Sequence, residues 1–64
     1  MMNIGNNIKE LRLQKKFTQK QVAEKLGVSC QAISKWENHI NAPDIDLIPE
    51  IAKLFEVSID SLFL

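Results

Sequence analysis

The segment TQKQVAEKLGVSCQAISKWEN, Thr18 to Asn38, holds two helix starts and one helix stop in a single run. Thr18 followed three residues later by Gln21 is a T-x-x-Q capping box: the hydroxyl accepts from the third helical N–H, and the Gln side chain returns a bond to the Thr backbone. Phe17 then stands just outside the helix, where it can staple against Val22. Val22 and Leu26 fall on one face, with Ala23 beside them. Gly27 follows at once, as expected of a residue that takes the left-handed conformation ending a helix. Ser29 can cap a second helix, whose apolar residues Ala32, Ile33 and Trp36 share one side.

Only a few residues around Gly27 and Val28 join the two helices, so they must cross steeply. A small side chain, Ala23, sits where the helices touch. Helix, Ala, Gly turn, apolar residue, cap and helix together make a helix-turn-helix pattern.

Outward from this unit the chain continues to read as helix. Ile4, Ile8 and Leu11 recur at i, i+4 and i+7, one face of a first helix; Leu13 lies off that stripe and is expected to be exposed. The polar stretch ENHINAPD after Trp36 is a loop. Leu47, Ile48, Ile51, Ala52 and Phe55 form a fourth apolar face. Pro49 lacks the N–H a helix interior needs, so it belongs in the first turn and favours Asp46 over Asp44 as the cap. Ser58 is the cap of a short last helix carrying Ile59, Leu62 and Phe63. The spacing predicts helices over about 4–15, 18–26, 29–38, 46–55 and 58–63. The expected fold is all-α: a compact five-helix domain over residues 1–64, with the helix-turn-helix formed by helices two and three.

Length and composition narrow the function classes. The 64 residues make one small domain, which buries only about 60% of its unfolded surface, so an oligomeric partner is expected. The lone cysteine excludes an internal disulfide. Apolar runs are too short to span a membrane, and the N-terminal residues lack the apolar block of a signal peptide; the expected compartment is the cytoplasm. The net charge of zero hides a split. Residues 1–36 carry seven basic residues against two acidic ones, a net +5, and residues 37–64 carry one against six, a net −5. Such a split marks either a polyanion-binding face or merely solvated helices of different sign. No paired carboxylates in a plausible pocket, nucleophile–base spacing or phosphate loop suggests an enzyme. No metal, cofactor or small-molecule ligand is implied.

With TQKQVAEKLGVSCQAISKWEN flanked by IKELR on one side and IAKLFEVSIDSLF on the other, the chain resembles the phage repressor and Cro-type helix-turn-helix transcriptional regulators over roughly residues 4–63. That resemblance implies double-stranded DNA as partner, with the third helix in the major groove. At about 100° per residue, Cys30, Gln31, Ser34 and Lys35 share one side of that helix, opposite Ala32, Ile33 and Trp36. These four are the candidate base contacts: Gln31 suits an adenine and Lys35 a guanine. Gln19 is a candidate phosphate contact at the N-terminus of helix two; in similar proteins its equivalent also orients the recognition-helix Gln, here Gln31. Ser29, Asn38, His39 and Asn41 are weaker phosphate candidates, and His39 reads equally well as a loop residue without a role. The resemblance further implies an ion pair between Arg12 and Glu37 that fixes the reading helix against the first helix.

The favoured function is a sequence-specific regulator, a repressor, acting as a homodimer on a palindromic operator. Its dimer contact would lie in the acidic C-terminal third, around Leu62, Phe63 and Leu64. The alternative is a protein–protein interaction module, or antitoxin-like partner, on the same fold. Cys30 has too few ligand types nearby for a metal site and lies off the packed face. It reads as a specificity position that touches a thymine methyl or a phosphate, with a redox switch as the minor alternative.

Overall fold

In a computed structural model that describes residues 3–64, four α-helices form among the described residues, and no strand. They are α1 (Ile4–Gln14), α2 (Gln19–Leu26), α3 (Cys30–Glu37) and α4 (Ile48–Phe55), with single 3-10 turns at Ile45–Leu47 and Asp60–Leu62. The all-helical class agrees with the sequence reading; the count of five does not. The segment 58–63 is one 3-10 turn, because every bond in it reaches back three residues: Ser61 N to Ser58 O, Leu62 N to Ile59 O and Phe63 N to Asp60 O. A segment this short cannot meet the cost of nucleating an α-helix. The Ser58 hydroxyl still accepts from Ser61 N at 3.3 Å, so the residue expected as a cap closes a turn instead.

The start of α4 also differs. Leu47 N bonds back to Asp44 O at 2.9 Å, and the resulting turn runs straight into Ile48. Asp46 therefore lies inside a helical turn and caps nothing. Pro49 falls in the first turn of α4, where its missing N–H costs no bond.

Ile4, Ile8, Val22, Ala23, Ile33, Trp36, Ile51, Ala52, Phe55 and Leu62 make one core. The largest fully buried side chains come from α1, α2, α3, α4 and the last turn alike, and each stabilises the fold by about 1.5–3 kcal/mol. Leu13 is 54% exposed, as its place off the α1 stripe implies. Leu62 is wholly buried and latched from above, its carbonyl accepting from Asn7 Nδ2 at 2.8 Å. It is a core residue and not part of an exposed face.

All four helices end the same way. A residue at φ near +60° to +73° (Lys16, Gly27, His39 or Glu56) reverses the chain. The next N–H then bonds to the carbonyl five residues back: Phe17 to Arg12, Val28 to Ala23, Ile40 to Lys35 and Val57 to Ala52, at 2.9–3.0 Å. This is the Schellman closure. Only Gly27 takes that conformation without steric cost.

Candidate nucleic-acid interface

Local chemistry fixes both helices of the central unit. Gln21 N donates to Thr18 Oγ1 at 3.0 Å and Thr18 N donates to Gln21 Oε1 at 2.8 Å, so the capping box is complete. Ser29 Oγ accepts from Ala32 N at 3.1 Å and starts α3. Val22 and Ala23 from α2 are buried, as are Ile33 and Trp36 from α3.

This packing turns one side of α3 outward. Cys30, Gln31 and Lys35 are exposed, while Ser34 is half-buried and its hydroxyl accepts from Asn38 Nδ2 at 3.2 Å. The four candidate base-reading residues thus come together on one face. Beside it runs an open polar groove between α3 and the following loop, walled by Gln31 and Lys35 on one side and Asn41 and Asp44 on the other. The sequence offers Asp44 only as an alternative helix cap and not as a site residue. Nothing local marks it, since it reaches the groove only because the loop folds back along α3.

The outlying candidates are placed unequally. Ser29, Asn38, His39 and Asn41 are all exposed. Ser29 and Asn38 already have intramolecular bonds. His39 Nε2 lies 3.1 Å from Asn6 Oδ1, which ties the end of α3 to the first turn of α1.

Beneath the outward face lies a buried ionic knot. Arg12 Nε donates to Glu37 Oε2 at 2.7 Å and Nη2 donates to Oε1 at 3.0 Å, a two-point pair of side chains that are 11% and 4% exposed. Arg12 Nη1 also donates to the Phe17 carbonyl at 3.0 Å. The bond to Glu37 raises the Arg12 pKa above its ordinary value, against the opposing effect of burial. Gln19 belongs to the same knot: its Nε2 donates to Glu37 Oε1 at 3.1 Å. The resemblance had directed Gln19 to Gln31, but the bond found is to Glu37.

One further contact was missed. Gly5 is buried where α1 crosses the end of α3, and a Cβ there would overlap the Trp36 carbonyl oxygen and stand 3.2 Å from His39 Nδ1. The i, i+4 pattern of α1 shows which face packs, but not that the backbone itself is the contact surface. Among the described residues no cluster of three or more His, Cys, Asp or Glu side chains is placed to hold a metal ion. No described helix is long and apolar enough to cross a membrane.

Comparison with known proteins agrees with this geometry. The family model described as helix-turn-helix matches residues 8–62. The HTH-type transcriptional activator BcrR of Enterococcus faecalis is 43% identical over 61 residues, which are 95% of this chain and 30% of that protein. The HTH-type transcriptional regulator ImmR of Bacillus subtilis is 36% identical over 61 residues, 95% of this chain and 48% of that protein. The chain thus spans half or less of the length of these two relatives. Among solved structures, the P22 c2 repressor in complex with a synthetic operator superposes with a TM-score of 0.89 at 28% identity, covering 98% of this chain and 96% of that one. On the family match, these relatives and the crossed pair α2–α3, the chain belongs to the helix-turn-helix family of the phage-repressor type.

Proposed function

We propose that residues 1–64 act in the cytoplasm as a single DNA-binding domain of a transcriptional regulator, which inserts α3 into the major groove of double-stranded DNA. The observation that carries this reading is the outward face of α3. Cys30, Gln31 and Lys35 are exposed there, although the same helix contributes Ile33 and Trp36 to the core. Gln31 can pair with an adenine edge and Lys35 with guanine O6 and N7, while Cys30 is short enough to pack on a thymine methyl. Likeness to a repressor solved on its operator supports the same docking. The N-terminus of α2, with Gln19, faces the phosphates in this reading, and exposed Ser29, Asn38, His39 and Asn41 are the weaker phosphate contacts.

One short helix reads few base pairs, so the chain works as a dimer on a two-fold site, with recognition helices about 34 Å apart. With Leu62 in the core, the dimer face consists of Ile45, Phe63 and Leu64, which are 84%, 37% and 83% exposed. Ile45 and Phe63 rim a shallow apolar groove floored by Ile4, Pro43 and Ile48.

Selection of bound duplexes from randomised DNA tests the reading. The expected outcome is a two-fold sequence with half-sites one helical turn apart. Recovery of no sequence preference would overturn it and favour a protein-binding module on the same fold.

A further inference from the structure

Glu37 is an unusual residue to find at the end of α3. A carboxylate at a helix C-terminus is disfavoured by the helix dipole, and this one is 7% exposed. Arg12 neutralises it, but two apolar side chains would fill the same space at no greater cost. What an apolar pair could not supply is the third bond that Glu37 accepts, the one from Gln19 Nε2 at 3.1 Å. A primary amide can turn over and exchange its oxygen for its nitrogen, whereas an ionised carboxylate only accepts. The bond therefore fixes the sense of the Gln19 amide: nitrogen toward Glu37, with one N–H left unshared. Gln19 is the first residue of α2 and half-buried, at the helix end whose first backbone N–H groups have no intrahelical partner. Arg12 steadies the same place from behind through the Phe17 carbonyl, two residues before Gln19.

We propose that Glu37 is a positioning residue for DNA binding, which orients the Gln19 amide so that it donates to a DNA phosphate without first having to be ordered. This rests on the DNA-binding reading above. The chain of contacts runs Arg12, Glu37, Gln19, phosphate, and it links the far end of the reading helix to the backbone anchor of α2.

The experiment is a double-mutant cycle on the operator duplex recovered by selection with the wild-type chain. Glu37→Asp keeps the negative charge but draws the carboxylate back from Gln19 and Arg12 alike, since both bond to Oε1, and the Gln19→Ala background separates the two losses. Glu37→Asp is expected to weaken operator binding by about three- to tenfold, the worth of one oriented hydrogen bond. In a Gln19→Ala background the same change is expected to cost almost nothing. Ethylation interference adds a second readout: one phosphate per half-site is expected to lose its effect in both Glu37→Asp and Gln19→Ala. Equal losses in the two backgrounds would show that Glu37 acts only through the fold and would overturn the proposal. If Glu37→Asp fails to fold, the double variant Arg12→Met, Glu37→Leu takes its place in the cycle, since it removes the acceptor from Gln19 without stranding a buried charge. Failure of the wild-type chain to select any site would count against the DNA-binding reading itself, a result distinct from an additive cycle.

Discussion

Replacement of Arg12 by alanine is expected to be the most damaging single change outside the apolar core. It removes both bonds to Glu37 and the bond to the Phe17 carbonyl. Glu37 would remain with a side chain 4% exposed in the present packing and only Gln19 as a donor. Stranding one member of a buried pair costs about 3–5 kcal/mol. A chain of 64 residues has roughly 3–10 kcal/mol of total stability at about 0.05–0.15 kcal/mol per residue. Arg12→Ala should therefore consume most of the stability and leave a measurable unfolded fraction at room temperature. The double variant Arg12→Met, Glu37→Leu removes both charges and should return to within about 1 kcal/mol of the parent, because the desolvation cost disappears with the ions. Urea unfolding followed by Trp36 fluorescence measures all three, since the single tryptophan is 5% exposed and lies one residue from Glu37. An Arg12→Ala variant within about 0.5 kcal/mol of the parent, or a double variant no more stable than the single, would refute this account of the pair.

Other outcomes follow from the same geometry. Gly5→Ala should destabilise by about 1–3 kcal/mol in thermal unfolding, because the added methyl overlaps the Trp36 carbonyl, which is backbone and cannot swing aside; a neutral result would mean α1 slides freely on α3. Lys16→Gly should stabilise by about 0.5–1 kcal/mol, since Lys16 sits at φ 60° where a side chain is strained, and calorimetry that shows a loss would contradict it. Lys35→Ala should relax base preference at one position of each half-site, measured against a panel of single-base operator variants; a uniform loss over all sequences would make Lys35 a phosphate contact. The raised pKa of Arg12 places its contribution fully below the guanidinium's ordinary value, to be lost only as pH climbs through the raised one. Unfolding measured from neutral pH to about pH 10 should show no loss traceable to this pair.

The parts of the fold legible from sequence are those written in local chemistry. The Thr18–Gln21 box, the Ser29 cap and Gly27 each satisfy or reverse a nearby backbone, so residue type and spacing suffice. The apolar faces of α1, α2, α3 and α4 likewise follow from period alone. Three helix ends were not legible, because Lys16, His39 and Glu56 take the left-handed conformation without being glycine; the surrounding packing imposes it. The last turn carries an apolar pattern, yet its brevity gives it i to i−3 bonds instead of an α-helix. At the candidate site, helical angle separates exposed Cys30, Gln31 and Lys35 from buried Ile33 and Trp36, but not Ser34 from Ala32, both of which are half-buried. The Gln19–Glu37 bond and the Gly5–Trp36 contact join positions far apart in sequence, and no local signal announces either. Asp44 illustrates the same limit, since it becomes a wall of the groove only through the path of the loop.

Because α1 meets α3 through bare main chain at Gly5, the spacing of the two helices is set by atomic radii that no aliphatic exchange can alter. The core can drift among Ile, Leu and Val over generations while the mount of α3 stays where it is. Cys30, Gln31 and Lys35 point away from that mount and bury none of the core. Substitution at those positions therefore removes no core contact, and the outer face of α3 can change its chemistry without rebuilding the domain that holds it.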